Sequence, residues 1–397
     1  MPSVNRFEVD KLVGLYRGLI DQTETTYLRY LHQKIDWGNR LTAIVGARGT
    51  GKTTMLLQHI KLHLNLKDTL YVNADDFYFA ENKLFDLASS FYLNGGKHLF
   101  IDEIHKYPQW SKEVKMMYDY YPDLQIVFTG SSILDIYKGS DDLSRRALTH
   151  KLPGLSFREY LEMKKKINLP PYSLEEILQN KVELPGITHP LPLFKEYLQK
   201  GYYPFYNETG YPERLRNIIN LTLETDIPIY ANMNISTAKK LKQLLFIISR
   251  SVPFKPNLTK ISQMIEVHRN QVSDYLFYLE KAGIITLLRN STEGLRLLGK
   301  IEKIYLDNTN LVDSIAEGVA DIGNIRETFF LNQMGVNHKV FSSEVADFKI
   351  GQYTFEVGGK SKTKRQIAGL DQAYVVKDNV EYGYQNTIPL WAFGFNY

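Results

Sequence analysis

The chain has 397 residues, of which 44% are hydrophobic and 23% charged, and its formal net charge is +4. This is ordinary globular composition, and at about 100–200 residues per domain the length allows two to four domains. Cysteine is absent, which excludes a disulfide framework and a thiolate metal site, and the mild positive charge does not by itself indicate nucleic-acid binding.

The first twenty residues lack the basic-then-apolar layout of a secretory signal. The sequence contains no apolar run of about 18 residues, so no transmembrane helix is expected. The absence of cysteine also suits a reducing compartment. These features predict a cytoplasmic protein with no membrane partner.

In chain order, residues 8–36 come first and are predicted to form one or two helices, because their leucines recur at helical spacing. Four short apolar strands are then predicted, separated by helical stretches such as 53–64. The predicted strands are Leu41–Val45, Thr69–Asn73, 98–101 and 125–129. Strands that alternate with helices predict an α/β fold in which a parallel sheet is covered on both faces.

After residue 150 the pattern changes. Residues 153–230 are predicted to be mostly helical, and residues 236–290 contain three helix-like runs followed by a β-like run that ends at Arg289. Residues 300–397 mix short strands with one or two helices.

The strongest motif follows the first predicted strand and reads GARGTGKT from Gly46 to Thr53. It is the full G-x-x-x-x-G-K-[ST] pattern of a P-loop, placed between a strand and a helix. Lys52 would reach the β- and γ-phosphates of a nucleotide, and the Thr53 hydroxyl would bind Mg²⁺. The alternative is a glycine-rich turn that arose by chance. The predicted nucleotide-binding residues are Gly46, Ala47, Arg48, Gly49, Thr50, Gly51, Lys52, Thr53 and Thr54.

The third predicted strand ends in two acids, Asp102 and Glu103. In a P-loop fold Asp102 would hold Mg²⁺, directly or through water, and Glu103 would orient and deprotonate the attacking water. The alternative is an acidic strand end that caps the following turn. Together with Lys52, the acid pair favours hydrolysis over nucleotide sensing alone.

The fourth predicted strand ends in small hydroxyl residues that include Thr129 and Ser131, which could position water or touch the γ-phosphate. Ordinary turn chemistry is an equal alternative for either residue. Arg145 and Arg146 follow a loop and could place positive charge on the transition state, or they could be a solvated pair.

The ordered motifs resemble those of the bacterial and archaeal AAA+ ATPases that carry a C-terminal domain distantly related to PD-(D/E)XK nucleases. This group lies near the origin-recognition and signal-transducing ATPases. The resemblance covers most of the chain. Besides the P-loop, it rests on IDEIH (101–105), FTGSS (128–132), LSRRALTHKLPGLSFREYL (143–161), GYYP (201–204), KIYLDN (303–308), EVADF (344–348) and FEVGGK (355–360).

The resemblance implies a P-loop AAA+ core with a helical lid, a winged helix-turn-helix and a nuclease-like α/β domain. It also implies that Thr129 or Ser131 acts as the first sensor, and that Pro204 packs near the adenine. Arg146 matches the arginine of the family's L-S-G-R pattern, although Arg145 stands where the family usually has glycine. The implied domains are an N-terminal helical segment (1–38), the ATPase core (39–150), the lid (151–232), the winged helix (233–298) and the nuclease-like domain (299–397).

Residues 259–289 are predicted to form the winged helix-turn-helix, because two apolar-faced helices joined by a turn precede a β-like run. The recognition helix would present Arg269, Asn270 and Gln271 to base edges, and Lys281 could contact phosphate. The alternative is a winged helix that packs against protein.

The resemblance assigns Glu327, Asp347 and Glu356 as the acids of a nuclease-like site. Such chemistry also needs a lysine, but the active Glu-x-Lys pattern is absent and Lys360 stands two positions late. A remnant of a nuclease, retained for binding, is therefore expected rather than an active enzyme.

The sequence predicts an ATP-binding and ATP-hydrolysing switch with Mg²⁺ as cofactor, which couples its ATP or ADP state to double-stranded DNA or a protein partner. Two alternatives stay open: an ATP-gated Mg²⁺-dependent nuclease, and a nucleotide-sensing scaffold with slow ATPase activity. The oligomeric state is also open, since AAA+ relatives include both rings and resting monomers.

Overall fold

A computed structural model of the chain describes residues 6–130, 143, 145–231, 233, 235–251, 255–290, 300–315, 322–363 and 367–397. The chain divides into two compact units, Met1–Gly154 and Leu155–Tyr397. The first boundary lies four residues beyond the predicted end of the ATPase core at residue 150. The finer division of the second unit into three domains stays a prediction.

The first unit contains a parallel sheet, and helices connect the first four of its strands along the chain. Its strands are β1 (Leu41–Val45), β2 (Thr69–Asn73), β3 (His98–Asp102), β4 (Gln125–Gly130) and β5 (Leu148–Lys151). Its helices are α1 (Arg6–Gln22), α2 (Tyr30–Lys34), α3 (Lys52–His63), α4 (Tyr78–Glu81), α5 (Leu84–Leu93) and α6 (Trp110–Tyr120), with a 3₁₀ turn at Ile104–Lys106.

The strand order is β2-β3-β4-β1-β5, and every pairing is parallel. All five residues of β1 are buried, as expected for a central strand that is covered on both faces. The four strands predicted from the sequence are confirmed. β1 and β4 are neighbours in the sheet. The chain leaves β1 toward β2 on one side and leaves β4 toward β5 on the other side. Ligands of open α/β sheets bind where the connections diverge in this way.

The fifth strand, β5, is not among the predicted strands. It pairs with β1 along the edge of the sheet, but three of its four residues are exposed. Its sequence, LTHK, carries neither an apolar run nor a clear alternation, because an edge strand needs only backbone pairing on one side.

The second unit begins with helices and ends in a mixed sheet. Its helices are α7 (Phe157–Lys165), α8 (Leu174–Leu178), α9 (Pro190–Lys200), α10 (Tyr211–Leu221), α11 (Ile227–Ala231), α12 (Ile235–Ser251), α13 (Leu258–Met264), α14 (Arg269–Lys281), α15 (Thr309–Ile315) and α16 (Ile322–Met334). A π-helical turn at Thr222–Asp226 joins α10 to α11, and a 3₁₀ helix, Leu390–Phe395, lies near the C-terminus.

The strands of the second unit form two sheets. They are β6 (Ile285–Arg289), β7 (Ile301–Leu306), β8 (Phe341–Ser342), β9 (Phe348–Ile350), β10 (Tyr353–Gly358), β11 (Ala373–Lys377) and β12 (Thr387–Pro389). β6 and β7 are an antiparallel pair, and the larger sheet has the order β12-β11-β10-β9-β8. The pairings of β10 with β11 and of β11 with β12 are parallel, whereas β8, β9 and β10 pair antiparallel.

The sequence α13, α14, β6, β7 places two helices directly before an antiparallel pair of strands. That is the order of elements in a winged helix, and the assignment stays a prediction. Among the residues that the structure describes, no helix has the length and apolar character needed to span a membrane.

Candidate functional site

The loop after β1 has a backbone that only glycine tolerates at several positions. A Cβ on Gly46 would lie 2.4 Å from the carbonyl oxygen of Leu152, which is backbone and cannot rotate away. Gly49 and Gly51 have φ angles of 80° and 92°, in the left-handed region that L side chains rarely adopt. The glycines at these P-loop positions therefore shape the loop.

Helix α3 begins directly after this loop, with Gly51 at its N-cap. The side chain of its first residue, Lys52, is buried, and its Nζ donates hydrogen bonds to the carbonyl oxygens of Gly46 at 3.0 Å and Ala47 at 2.9 Å. The lysine charge and the positive end of the helix dipole thus meet at the same loop. Both attract anions such as phosphate.

Asp102 ends β3 with its carboxylate buried, and the residue is 1% exposed. Three hydroxyl groups surround it. Thr53 donates to Oδ2 at 2.6 Å, Tyr71 donates to Oδ2 at 2.8 Å, and Thr129 donates to Oδ1. The structure therefore brings together the predicted Mg²⁺ ligands Thr53 and Asp102 and the predicted sensor Thr129.

The sheet register explains this convergence. The last residue of β2, Asn73, pairs with Asp102, and Ile101 pairs with Phe128, the residue before Thr129. The carboxyl ends of neighbouring parallel strands meet at one edge of a sheet, so side chains that follow them lie close together.

Glu103 has a φ of 51°, a left-handed conformation that is uncommon for a residue with a side chain. Its N–H donates to Asp102 Oδ1 and to Thr129 Oγ1, both at 3.1 Å. The Glu103 carboxylate lies 3.5 Å from Nε2 of His105. The strained backbone turns the Glu103 side chain out of the strand direction directly beside the buried aspartate, and strain of this kind concentrates at functional sites.

Two tyrosines of this site were missed from the sequence. Tyr71 donates to Asp102, and its ring meets that of Tyr16 edge to face at a centroid distance of 5.1 Å. Burial, followed by the charge of Asp102, raises the pKa of Tyr71 well above its ordinary value, so it is a hydrogen-bond donor at neutral pH. The signal available in the sequence was its position two residues before the end of β2, inside an apolar run.

Arg29 is a third residue that the sequence did not single out. It is buried and donates to the carbonyl oxygens of Thr50 at 2.6 Å, Pro153 at 2.8 Å and Gly154 at 2.9 Å. It therefore ties the P-loop to the segment after β5. Nothing in the local sequence distinguishes Arg29 from a surface arginine, because its partners are distant backbone carbonyls.

Arg146 lies at the amino ends of the strands, opposite the carboxyl ends where the P-loop lies. It precedes β5, which runs parallel to β1, and its guanidinium pairs with Asp119 of α6 at 3.1 Å. A strand of five residues at about 3.3 Å each is roughly 16 Å long, and this length separates the amino ends of the strands from the P-loop. Within one chain Arg146 is therefore not grouped with Lys52 and Glu103, and its role in placing positive charge on the transition state stays a prediction.

The structure does not test two further residues of the predicted site. Ser131 lies outside the described residues. Pro204 lies in the second unit, in a turn whose neighbour Tyr202 donates its N–H to Asn310 at 2.9 Å and accepts from the N–H of Leu155 at 2.7 Å. The predicted contact of Pro204 with adenine stays untested.

The predicted DNA-contacting residues lie at one end of α14. Arg269, Asn270 and Gln271 are exposed at its first turn, where the Gln271 side chain also accepts from the N–H of His268 at 3.0 Å. The Nζ of Lys281 lies 5.6 Å from the centre of the Phe277 ring at the other end. The first turn is thus available for an intermolecular contact.

In the second unit the three predicted acids lie beside two lysines. Lys303 of β7 contacts Glu327 at 3.1 Å and Asp347 at 3.4 Å, and Tyr305 donates to Glu327 at 2.6 Å. Lys303 and Tyr305 were not singled out from the sequence. Their spacing of two residues in a strand places them on one face of β7.

Glu356 is 2% exposed and forms an ion pair with Lys362. The predicted lysine, Lys360, has an exposed side chain, so the structure assigns the position beside Glu356 to Lys362 instead. The physical reason is that the strand ends at Gly358, and the turn that follows carries the chain back past Glu356. Burial, and then Asp347, raise the pKa of Glu327, and burial raises the pKa of Glu356.

Comparison with protein families gives two partial matches. Residues 38–161 match the model of a family described as an AAA domain. The chain carries an AAA domain. Residues 191–318 match a family described as a domain of unknown function, DUF8612. The first match contains the P-loop, the buried aspartate and Thr129, and the second contains α14 and Lys303 but not the three acids.

Two uncharacterized proteins of Methanocaldococcus jannaschii are similar in sequence. One is 26% identical over 265 residues, which cover 62% of this chain and 56% of the relative. The other is 27% identical over 268 residues, which cover 64% of this chain and 57% of the relative. The chain thus spans little more than half the length of these relatives.

Solved structures give only distant likenesses. They include PCH-2 of C. elegans (TM-score 0.26, 16% identity, 67% of each chain) and AMPPCP-bound DnaA from Aquifex aeolicus (0.26, 16%, 68% of this chain and 88% of that one). A third is the S. cerevisiae Hsp104-ADP complex (0.29, 14%, 67% and 39%).

Gly46→Ala tests whether the P-loop shape depends on close backbone packing. Its Cβ would collide with the Leu152 carbonyl, so we expect a loss of about 1–3 kcal/mol in the stability of the first unit, measured by calorimetric unfolding. Gly18→Ala is the matched control, because its Cβ would meet nothing within 4 Å on helix α1. The control should be neutral or stabilising. Equal melting of Gly46→Ala and wild type would contradict the assignment.

Proposed function

We propose that the chain binds ATP with Mg²⁺ at the P-loop and hydrolyses it, and that its nucleotide state controls binding of DNA or a protein partner. The observation that carries the proposal is the group of Thr53, Asp102, Glu103 and Thr129 beside Lys52. These side chains belong to α3 and to the ends of β3 and β4. They lie at the carboxyl ends of the strands, where α/β folds bind ligands.

The donor set fits Mg²⁺ bound with a nucleotide. Mg²⁺ prefers oxygen ligands, keeps several waters, and is held in such sites by one or two protein groups together with phosphate oxygens. Thr53 Oγ1 and Asp102 Oδ2 are 2.6 Å apart, so two oxygen donors already face each other. Bound Mg²⁺ would neutralise charge that develops on the phosphate oxygens.

Lys52 and the glycine-rich backbone supply the phosphate contacts in this proposal. The Lys52 ammonium, which now donates to Gly46 and Ala47, would exchange these carbonyls for phosphate oxygens. The N–H groups at the start of α3 would donate to the same anion. These interactions are charge-assisted, which makes them stronger than neutral hydrogen bonds.

Glu103 is the proposed general base. Its backbone is fixed by hydrogen bonds to Asp102 and Thr129, so its carboxylate is positioned beside the proposed Mg²⁺ ligands without being one. There it would accept a proton from the attacking water while Thr129 helps to orient that water. Positioned acid–base catalysis of this kind contributes about 10²–10⁴-fold in rate.

Arg146 would act between chains in this scheme. Arg146 pairs with Asp119 at the amino ends of the strands, away from the P-loop of its own chain. This position suits a contact with the nucleotide of a neighbouring copy. An arginine supplied by a second subunit stabilises transition-state charge in other P-loop enzymes.

Two substitutions separate binding from hydrolysis. Glu103→Gln should keep ATP affinity but lower steady-state turnover by about 10²-fold or more, because the proton acceptor is lost. Lys52→Ala should lose affinity for ATP itself, because the ammonium contact is removed. Both are measured by ATP titration and by phosphate release, with and without duplex DNA.

Glu81→Gln is the matched control for Glu103→Gln, since Glu81 is exposed in the same unit and should retain full turnover. Unchanged turnover in Glu103→Gln would show that Glu103 is not the base. A wild type that binds ATP without turnover would support the nucleotide-sensing scaffold instead.

Coupling to DNA rests on the exposed first turn of α14. If Arg269 and Lys281 contact DNA, their joint replacement by alanine should weaken duplex binding at least tenfold and reduce the dependence of affinity on salt. Fluorescence anisotropy at several salt concentrations measures both effects.

Lys181→Ala with Lys195→Ala removes the same charge from exposed positions elsewhere in the second unit and serves as control. The two double variants should differ clearly. DNA contact by α14 would be contradicted if the affinity for duplex DNA did not depend on salt, or if the two double variants bound DNA equally well. Either result would favour a protein partner.

A Mg²⁺-dependent nuclease is kept as a second candidate because Glu327, Asp347 and Glu356 lie beside Lys303 and Lys362. Carboxylates with nearby lysines can hold a metal and activate water. The ion pairs that occupy these groups, and the displaced lysine, instead favour a remnant that binds without cutting.

Plasmid cleavage in the presence of Mg²⁺ or Mn²⁺ and ATP decides this point. We expect no cleavage by the wild type. Asp371→Asn alters an exposed aspartate and is the control. Cleavage that disappears in Asp347→Asn but persists in Asp371→Asn would establish a nuclease and contradict the interpretation as an inactive remnant.

A further inference from the structure

Three histidines come together on the first unit, away from the residues assigned to nucleotide chemistry. His32 lies in α2, and His59 and His63 lie four residues apart in α3, which places them on one face of that helix. One ring nitrogen from each histidine lies within 4.8 Å of the other two. The ring centres are 5.1–5.5 Å apart.

Two of these rings are buried with a nitrogen that lacks a partner. His32 and His59 are each 6% exposed. Among the described residues, neither Nε2 of His32 nor Nδ1 of His59 makes a hydrogen bond. An unsatisfied buried polar group costs about 1–3 kcal/mol, so each such group calls for a partner such as water or an ion.

The rings are held in position by Trp37. Its indole stacks on the His59 ring at a centroid distance of 3.8 Å with 9° between the planes. Its Nε1 donates to the carbonyl oxygen of His32 at 2.9 Å. The ring of the same tryptophan therefore contacts the buried histidine of each helix.

Burial disfavours the charged form of both buried rings. Burial, followed by the neighbouring histidines, lowers the pKa of His59 to about 3, and burial lowers the pKa of His32. Neutral imidazole is a common ligand for transition metals.

We infer that His32, His59 and His63 form a binding site for a transition-metal ion of the Zn²⁺ class, with three imidazole ligands and a further position open to solvent. Metal–nitrogen bonds of 2.0–2.1 Å place tetrahedral ligands about 3.3 Å apart, so the nitrogens must close by at most about 1.5 Å. His63 is exposed, so its ring can approach the two buried rings by side-chain rotation. Nitrogen ligands select Zn²⁺, Cu²⁺ or Ni²⁺ over Mg²⁺.

A metal at this site would bridge α2 to the helix that begins at the P-loop. Arg29, directly before α2, already donates to the P-loop carbonyl of Thr50 at 2.6 Å. Lys61 of α3 donates to the carbonyl of Thr23 at 2.8 Å. The ion would add to these links between the N-terminal segment and the P-loop helix, and therefore stabilise the first unit.

Zn²⁺ titration of the chelator-treated full chain by calorimetry, in excess Mg²⁺, tests the inference. The Mg²⁺ competes for oxygen-lined sites, so a nitrogen-ligand site should give the tightest response, and His63→Gln identifies it. We expect one Zn²⁺ per chain, together with a rise in the melting temperature. His63→Gln removes the exposed ligand and should weaken binding at least tenfold and abolish the rise in melting temperature.

His189→Gln is the matched control, because it removes an exposed histidine from the other unit and should bind like the wild type. Lys52→Ala should also bind Zn²⁺ normally, so failure of the nucleotide proposal would not affect this result. The metal-free melting temperature of His63→Gln shows whether that variant is folded. No stoichiometric binding by the wild type, or equal binding by His63→Gln and His189→Gln, would overturn the site.

Discussion

The buried carboxylate of Asp102 is the constraint on which the rest of the first unit depends. Removing a carboxylate from water is expensive unless hydrogen bonds replace the lost hydration. Here Thr53, Tyr71 and Thr129 supply hydroxyl donors, and the N–H of Glu103 adds a fourth. These donors come from the P-loop helix, from the two strands beside β3 and from the turn after it. Satisfying one charge therefore fixes the relative positions of all the elements that the proposed chemistry uses.

In the proposed scheme, the same arrangement would separate binding from catalysis. Lys52 and the loop glycines would act on the phosphates, whereas Glu103 is fixed through its backbone and its side chain would act on water. Arg29 closes the group by joining the P-loop carbonyl of Thr50 to Pro153 and Gly154. In the second unit, Lys303 pairs with Glu327 and Asp347, and Lys362 pairs with Glu356.

Sequence reasoning predicted the parts of the fold that local patterns encode. Four apolar strands and the glycine-rich loop were visible because burial and backbone strain restrict residue type at each position. The edge strand β5 was invisible because its side chains are mostly exposed. Arg29, Tyr71 and Lys303 were missed for another reason: their partners are distant in the chain, and only the sheet register or a long-range contact brings them together. Likewise, only the turn after Gly358 shows that Lys362, rather than Lys360, reaches Glu356.

The most direct test of the central claim compares ATP binding by wild type and Asp102→Asn, each with Mg²⁺ and with EDTA. If Asp102 and Thr53 hold the ion that accompanies ATP, Mg²⁺ should tighten ATP binding to the wild type by at least tenfold and should have little effect on the variant. Binding without Mg²⁺ should be similar in both proteins, because Lys52 and the loop remain. An equal Mg²⁺ effect in wild type and Asp102→Asn would contradict the account and place the metal elsewhere.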